Sequence, residues 1–554
     1  MNFFPFAFEP IAATTWAYLA SLLMLALFFK FNRCWSIRNL DLFLIIMLAP
    51  GLLMIDAGRR MEVRAALMQQ AEPTIESNDL SNVPAQTVSY SRWQSDPNES
   101  SPAGESGERD GVNPGLDQVA TANQGNVGAP LGMAPSLLTR NINYAKWLQR
   151  FGYIWLFSIG GIFLIRLLID PLLVRRPLLE PNLSIGGLVF LACSLMAFLV
   201  ANILTSSPTN DDLRGVQNAL KMVQREAASE SDIVQLQKRG PGNWLFNLLP
   251  AVPSFGEAAF EEQTLRDAGS TMEPSMASPN MEDGSAQTPV ASADLWPYVV
   301  AARSLAIISQ IFIVLGLILF CHHHYDNFTV GVGLATIHLM LPYTALYSGH
   351  VLHSLPAALV IWALVSFRSP FWSGAMIGLA TSVSYYPIFL LPLWCSYYWD
   401  RGVRRFATGV IVSLAVGVAG FIFTSADVSD FFFQLKQMFG IFQPLRDDLE
   451  GIWALGWNKW NRLPLLIGSV MLAGSFVWWP RQKDIGVLIS YSAAIMVSVQ
   501  FWHGFGGGLY VAWYVPLALL VFFRPNVEGR IAINELAERV RKRKTTSDDV
   551  MPVA

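Results

Sequence analysis

Between Leu341 and Leu364 the chain reads LPYTALYSGHVLHSLPAALVIWAL, an apolar run broken by Tyr347-Ser348-Gly349-His350 with His353 behind it. On a helix His350 and His353, spaced i, i+3, share a face, and Tyr347 lies one turn before His350. Imidazoles in this setting can hydrogen-bond a substrate, end a helix or hold a metal. Two histidines without a carboxylate fixed beside them in sequence argue little for a metal, so no metal or other cofactor is expected. A second group is Asp211-Asp212, within about eight residues of the end of an apolar segment. A carboxylate partly desolvated at a membrane face gains basicity and suits proton abstraction; the same pair can simply cap a helix. Asp56 is a weaker candidate of the same kind. A third group is the stretch GIWALGWNKWNRLP, with Lys459 and Arg462 among Trp453, Trp457 and Trp460. Basic residues interleaved with aromatics can grip a phosphate and stack on a sugar, and the same composition also makes an interfacial belt. Arg303, one turn into an apolar segment, either faces a cavity or snorkels to the interface. His503 completes the set, whereas His322-His323-His324 reads as an exposed connection.

The elements that must position these residues are membrane helices. Of 554 residues 53% are hydrophobic and 14% charged, against roughly a quarter charged in soluble domains. Apolar runs of the length needed to cross hydrocarbon recur along the chain. A net charge of −3 supplies no basic field, so nucleic acid is not an expected partner. The four cysteines, Cys34, Cys193, Cys321 and Cys395, lie in or beside apolar segments and read as packing residues rather than a disulfide framework. The first apolar run has no basic region before it and is expected to be a retained anchor.

The fold class expected is all-α, a polytopic transmembrane bundle of about 12–13 membrane helices with two long, partly disordered external loops. Spans are predicted near 12–30, 40–56, 152–169, 184–204, 296–320, 327–347, 350–367, 405–424, 463–479, 486–502 and 509–523. The stretch 371–398 is predicted to be a short hairpin turning at Tyr385-Tyr386-Pro387, because Arg368 precedes it and Arg401, Arg404 and Arg405 follow it. The resulting segments are 1–57, a two-helix membrane unit; 58–151, an external loop, largely disordered; 152–204, two membrane helices; 205–295, an external loop with a juxtamembrane amphipathic helix; 296–424, core helices with the inner hairpin 371–398; 425–462, an external loop; 463–524, the last membrane helices; and 525–554, a basic cytoplasmic tail. Lys30, Arg33, Arg38, Arg175, Arg176, Arg481 and Lys483 then all fall on the cytoplasmic side. A multi-pass protein of the plasma (inner) membrane is expected.

From about residue 184 onward this order of parts resembles the GT-C superfamily of integral-membrane glycosyltransferases. In that superfamily a span leads to an external loop with a juxtamembrane acidic residue, and a later pair of spans turns outside through Pro-Tyr and small polar residues. GAMIGLATSVSYYPIFLLPLW is similar to its inner hairpin, and HGFGGGLYVAWYVPLALL to its final external turn and span. Family members often carry Lys or Arg just before the hairpin turn, where this chain has Ser384. They commonly carry Arg or Asp in the outer hairpin, where it has His350 and His353. The resemblance implies transfer of a sugar, mannosyltransferase-like and inverting, from a polyprenyl-phosphate donor to a glycan, lipid or protein acceptor among the membrane lipids. Asp211 or Asp212 would then be catalytic, and Arg303, Tyr347, His350, His353, Lys459, Arg462 and His503 would bind substrate. The competing expectations are a transporter or lipid flippase, which should show two equivalent halves, and a non-enzymatic scaffold.

Overall fold

The structure is a computed structural model that describes residues 12–71, 135–173, 179–206, 216, 217, 219, 220, 243, 245–247, 296–347, 349–440, 449–481, 483–504 and 508–525. Asp211 and Asp212, most of the two long loops and the basic tail lie outside the described residues, and of Lys459 only the backbone is described. Two compact units are present: Met1–Ala57 together with Trp147–Ala554, and Gly58–Lys146. The described parts of the second unit are helical; the first holds the bundle and its core.

Among the described residues the long elements are all helices: α1 (Ala13–Phe28), α2 (Ile37–Ile46), α3 (Leu48–Ala71), α4 (Pro135–Ile169), α5 (Ile185–Thr205), α6 (Trp296–His324), α7 (Phe328–Met340), α8 (Pro342–Tyr347), α9 (Val351–Val365), α10 (Pro370–Val383), α11 (Leu391–Tyr397), α12 (Trp399–Thr424), α13 (Val428–Phe439), α14 (Arg462–Trp478), α15 (Ile485–Trp502) and α16 (Val515–Phe522). Six described stretches are long and apolar enough to cross a membrane: Ile37–Ala65, Arg140–Leu172, Ile185–Thr205, Pro297–His324, Trp399–Thr424 and Ile485–Trp502. Shorter apolar helices of 10–17 residues accompany them. The protein is thus an all-α, multi-pass membrane bundle.

Polar residues start these helices by satisfying N–H groups that have no partner within the helix. Ser184 accepts from the Gly187 N–H, Asn327 from Val330 at 3.0 Å, and Asp484 from Val487 at 2.6 Å. The core runs along α7, α15 and α16. In α15 every residue from Gly486 to Gln500 is buried, including Ser490, Ser492, Ser498 and Gln500, whose polar groups need partners inside the bundle. Ser490, for example, donates to the Leu167 carbonyl of α4 at 2.6 Å.

The stretch 371–398 turns back on itself. Its 14-residue first arm, α10, reaches about 21 Å at 1.5 Å per residue, short of the roughly 30 Å of hydrocarbon. Ser384 is extended (φ −149°, ψ 127°) and ends the arm, a 3-10 turn follows over Tyr386–Leu390, and α11 returns. Tyr398 then donates to the Phe367 carbonyl at 2.6 Å, so both ends of the excursion meet. Lys483 closes the same end, donating to Ser396 Oγ at 3.0 Å and to the Pro480 carbonyl at 2.8 Å; burial there pushes its ammonium below the ordinary lysine range. Small residues let the first arm lie close to α12, since a Cβ on Gly374 or Gly409 would strike the backbone of Phe406 or Phe371.

Three elements differ from the sequence expectation, one of them the predicted span 327–347, which is divided at Leu341 into α7 and α8. Helix α4 begins at Pro135, well before the predicted 152, because its polar first half is compatible with a helix although not with lipid. The segment 425–462 is not only loop. It contains α13, where the Asp427 side chain accepts from the Asp430 N–H at 2.7 Å and Gly440 ends the helix at φ 57°.

Candidate active site

The polar knot at Tyr347–His350 is a helix break. Helix α7 stops at Leu341, which is extended because Pro342 follows it. The six residues of α8 then run to Tyr347, and the Thr344 hydroxyl secures the corner by donating to the His338 carbonyl at 2.7 Å. His350 is extended (φ −97°, ψ 124°) and opens α9. In α9, Pro356 has no N–H for the Leu352 carbonyl one turn back. Trp513 Nε1 donates to that carbonyl instead, at 3.1 Å. The break is thereby tied to the turn between α15 and α16.

A continuous layer of rings results. The His353 ring lies between Tyr347 (centroids 5.1 Å apart, 16° between planes) and Tyr510 (4.3 Å, 14°). His350 sits 5.7 Å from His353 and 6.3 Å from Tyr347. Tyr510 leads to His503 at 4.6 Å, and His503 to Tyr386, at the apex of the inner hairpin, at 4.3 Å. Trp513 packs against Tyr386, His503 and Tyr510.

Arg462 borders this layer. The residue is 3% exposed and Nε donates to the Trp502 carbonyl at 3.0 Å. Nη1 is buried with no hydrogen-bond partner, and a Cβ on Gly504, beside His503, would lie 2.7 Å from Nη2. The phenols of Tyr386 and Tyr385 are its near neighbours on the hairpin side. A buried guanidinium of this kind favours an anionic partner strongly, because an uncompensated buried charge is costly. Glu450 brings in the preceding loop by donating its N–H to the Gly504 carbonyl at 2.8 Å.

The other expected residues are placed as follows. Arg303 is 4% exposed, and its Nη1 donates to the carbonyls of Ile203 and Ser206 at 3.0 and 2.7 Å. These are carbonyls at the C-terminus of α5, where a cation is favoured. Ile203 also lies 3.7 Å from where a Cβ on Gly349 would sit, so Arg303 adjoins the break at His350 through α5. The Lys459 backbone forms the 3-10 turn Lys459–Asn461 that leads into Arg462, with Trp457 and Trp460 exposed beside it. Among the described residues no three His, Cys, Asp or Glu side chains lie together as metal ligands.

Sequence reasoning passed over Tyr386, Tyr510 and Trp513 as members of the layer, and over Tyr343 and Tyr385, which pack beside Tyr347 and Tyr386. The pair Tyr385-Tyr386 was legible only as a turn. The available signal was the aromatic density of the last turn, where Trp502, His503, Tyr510, Trp513 and Tyr514 fall within 13 positions.

No curated protein and no solved structure matches the chain. Residues 286–521 match the family model described as Glycosyltransferase family 87, and every residue of the ring layer, Arg303 and Arg462 fall within that segment. The segment that carries this layer is thus similar to a glycosyltransferase family of the integral-membrane GT-C type.

Proposed function

We propose that the protein moves a sugar from a polyprenyl-phosphate donor to an acceptor hydroxyl at the external face of the plasma membrane, with inversion. The observation that carries this reading is the buried Arg462 guanidinium, with Nη1 unpartnered, at the edge of the histidine and tyrosine layer. Such a cation matches a phosphate, and ring faces with imidazole and phenol edges match a sugar. The acceptor oxygen bonds to the anomeric carbon as the bond from that carbon to the phosphate oxygen breaks. The electron pair leaves with polyprenyl phosphate, and the acceptor proton passes to a carboxylate. Arg462 and Lys459 hold the phosphate; Tyr347, His350, His353 and His503 hold the sugar. Asp211 or Asp212 is the base, and Arg303 anchors the end of α5 from which that loop departs. The external location is supported by the basic residues Arg368, Arg401, Arg404 and Arg405, which lie where the inner hairpin begins and ends, whereas its apex meets the ring layer.

The test is transfer from a labelled polyprenyl-phosphate sugar in vesicles whose orientation is fixed by labelling the thiol of a Ser547→Cys variant. Asp211→Asn and Asp212→Asn keep size and capping ability and remove basicity. At the catalytic position the change should lower the rate by about 10²–10⁴, whereas losing a cap costs stability of only about 1 kcal/mol. If both single variants and the double variant transfer at the parent rate, the base is elsewhere, with Asp56 next in line. If the protein transfers nothing from such donors on the face opposite the labelled thiol, the reading is wrong.

A further inference from the structure

The apex of the inner hairpin is held by a residue far from it in sequence. Helix α10 ends at Ser384, so the Val383 carbonyl has no donor within the helix. The residue one turn further on is Pro387, which has no N–H to offer. Val383 is fully buried, and a buried carbonyl needs a partner. The Asn243 N–H supplies it, at 3.3 Å. Asn243 is itself buried, 4% exposed, and it locks the turn that it begins. Its Oδ1 accepts from the Leu245 N–H at 3.1 Å, and its carbonyl accepts from the Phe246 N–H at 3.4 Å. Leu245 then packs on α12, 3.4 Å from where a Cβ on Gly420 would sit. Helices α10 and α12 run side by side up to that level, with Gly378 against Val410 and Gly417 against Ser382. Asn243 and Leu245 therefore bridge the two helices where the hairpin turns.

We infer that Asn243 is a positioning residue for sugar transfer: it anchors the hairpin apex and so fixes the Tyr386 ring against His503. This rests on the ring layer being the sugar-phosphate site. The apex is held from other directions as well. A Cβ on Gly440, at the end of α13, would meet the Tyr385 ring at 2.6 Å, and Trp502 packs against Tyr386 with centroids 5.7 Å apart. Only Ser384 and Tyr385 separate Val383 from Tyr386, so the Val383 carbonyl is where the helical arm ends and the ring layer begins. Without the Asn243 bond that carbonyl is buried with no donor, and the arm can regain one only by moving. Such a shift passes directly to Tyr386, which lies 4.3 Å from His503 and 5.1 Å from Trp513. Small misplacements of groups that hold a substrate are costly to rate.

The experiment uses the full chain in lipid nanodiscs. Hydrogen exchange read at single residues should show the Asn243 amide of the parent protected, as a buried bonded N–H is. Asn243→Ala removes the oxygen that receives the Leu245 N–H. It should expose the amide at 243 and lower kcat per folded molecule by about 10-fold or more, within the roughly 10²-fold that a 1 Å misplacement can cost. Asn243→Asp keeps that oxygen and should stay within about twofold of the parent in both measurements. Leu245→Ala leaves the turn and loosens its hold on α12; it should lower kcat in the same direction, which gives the reading if Asn243→Ala does not fold. An unprotected Asn243 amide in the parent overturns the inference. So does parent kcat in folded Asn243→Ala, or in folded Leu245→Ala where the first variant does not fold, and so does an Asp variant as slow as the Ala variant. Exchange needs no substrate: a protected amide in a parent that transfers no sugar overturns the reading of the site, and with it the positioning role, and leaves the hairpin anchor standing.

Discussion

Arg462 is the residue whose surroundings separate binding from structure most clearly. One nitrogen serves the Trp502 carbonyl and another is buried without a partner. If the group serves only the fold, Arg462→Gln should lower stability by about 1.5–3 kcal/mol, the range for a hydrogen bond to a charged group, and leave kcat/KM per folded molecule unchanged. If it grips the donor phosphate, Arg462→Gln should lower kcat/KM by about 10²–10³. Arg462→Lys should recover only part, because an ammonium keeps the charge and loses the planar fork. Donor kinetics and thermal melting on the same preparations decide between them. At this scale the sequence was informative where residue type is rare for its surroundings: Arg462, His350, His353 and His503 are conspicuous in apolar segments. Tyr343, Tyr386 and Tyr510 were not, since tyrosine near a span end is what an interfacial belt provides. Only the fold distinguishes a belt tyrosine from one stacked on an imidazole.

The elements were legible to the extent that lipid dictates them. Apolar length located α1, α5, α6, α12 and α15 within a few residues, and charge on both sides of 371–398 required a hairpin. What hydropathy does not measure was missed. The polar half of α4 and the amphipathic α13 are helices for reasons of capping and periodicity, and α8 is a separate helix because of Pro342. The joint between α9 and the last turn depends on a single proline. Trp513 donates to the carbonyl that Pro356 leaves without an intrahelical donor, so the two residues should be energetically coupled. Trp513→Phe should lower stability by about 1–3 kcal/mol, the cost of an unsatisfied buried polar group. In a Pro356→Ala background, where residue 356 can donate to Leu352 itself, the same substitution should cost less. Thermal melting of the four proteins of this cycle measures the coupling; equal effects of Trp513→Phe in both backgrounds would show that the joint is not made by this bond.

Across the whole molecule, the helices before the matched segment are joined to its last helix by buried charge. Arg166 of α4 meets Asp41 of α2 through two bonds of 2.8 Å, and meets Asp170 at 3.1 Å. Arg524, just past α16, reaches Asp170 at 3.3 Å. Asp41, Asp170 and Arg524 are all buried. Two carboxylates and two guanidinium groups balance, so the cluster as a whole is neutral and its members compensate one another. Nothing in the sequence marks it, because three of its four members lie far apart along the chain and each alone resembles an ordinary end-of-span charge. It lies within the compact unit that joins Met1–Ala57 to the matched segment. Removing one partner of a buried ion pair costs about 3–5 kcal/mol, whereas replacing the group with apolar residues of similar volume is often neutral. Asp170→Asn should therefore destabilise the protein by about that amount and lower the temperature at which sugar transfer is lost. The combined replacement Asp41→Leu, Arg166→Met, Asp170→Leu and Arg524→Met should recover most of the stability. Melting curves in lipid nanodiscs test both. A single Asn variant as stable as the parent would mean that the N-terminal helices are held to the core by apolar packing alone.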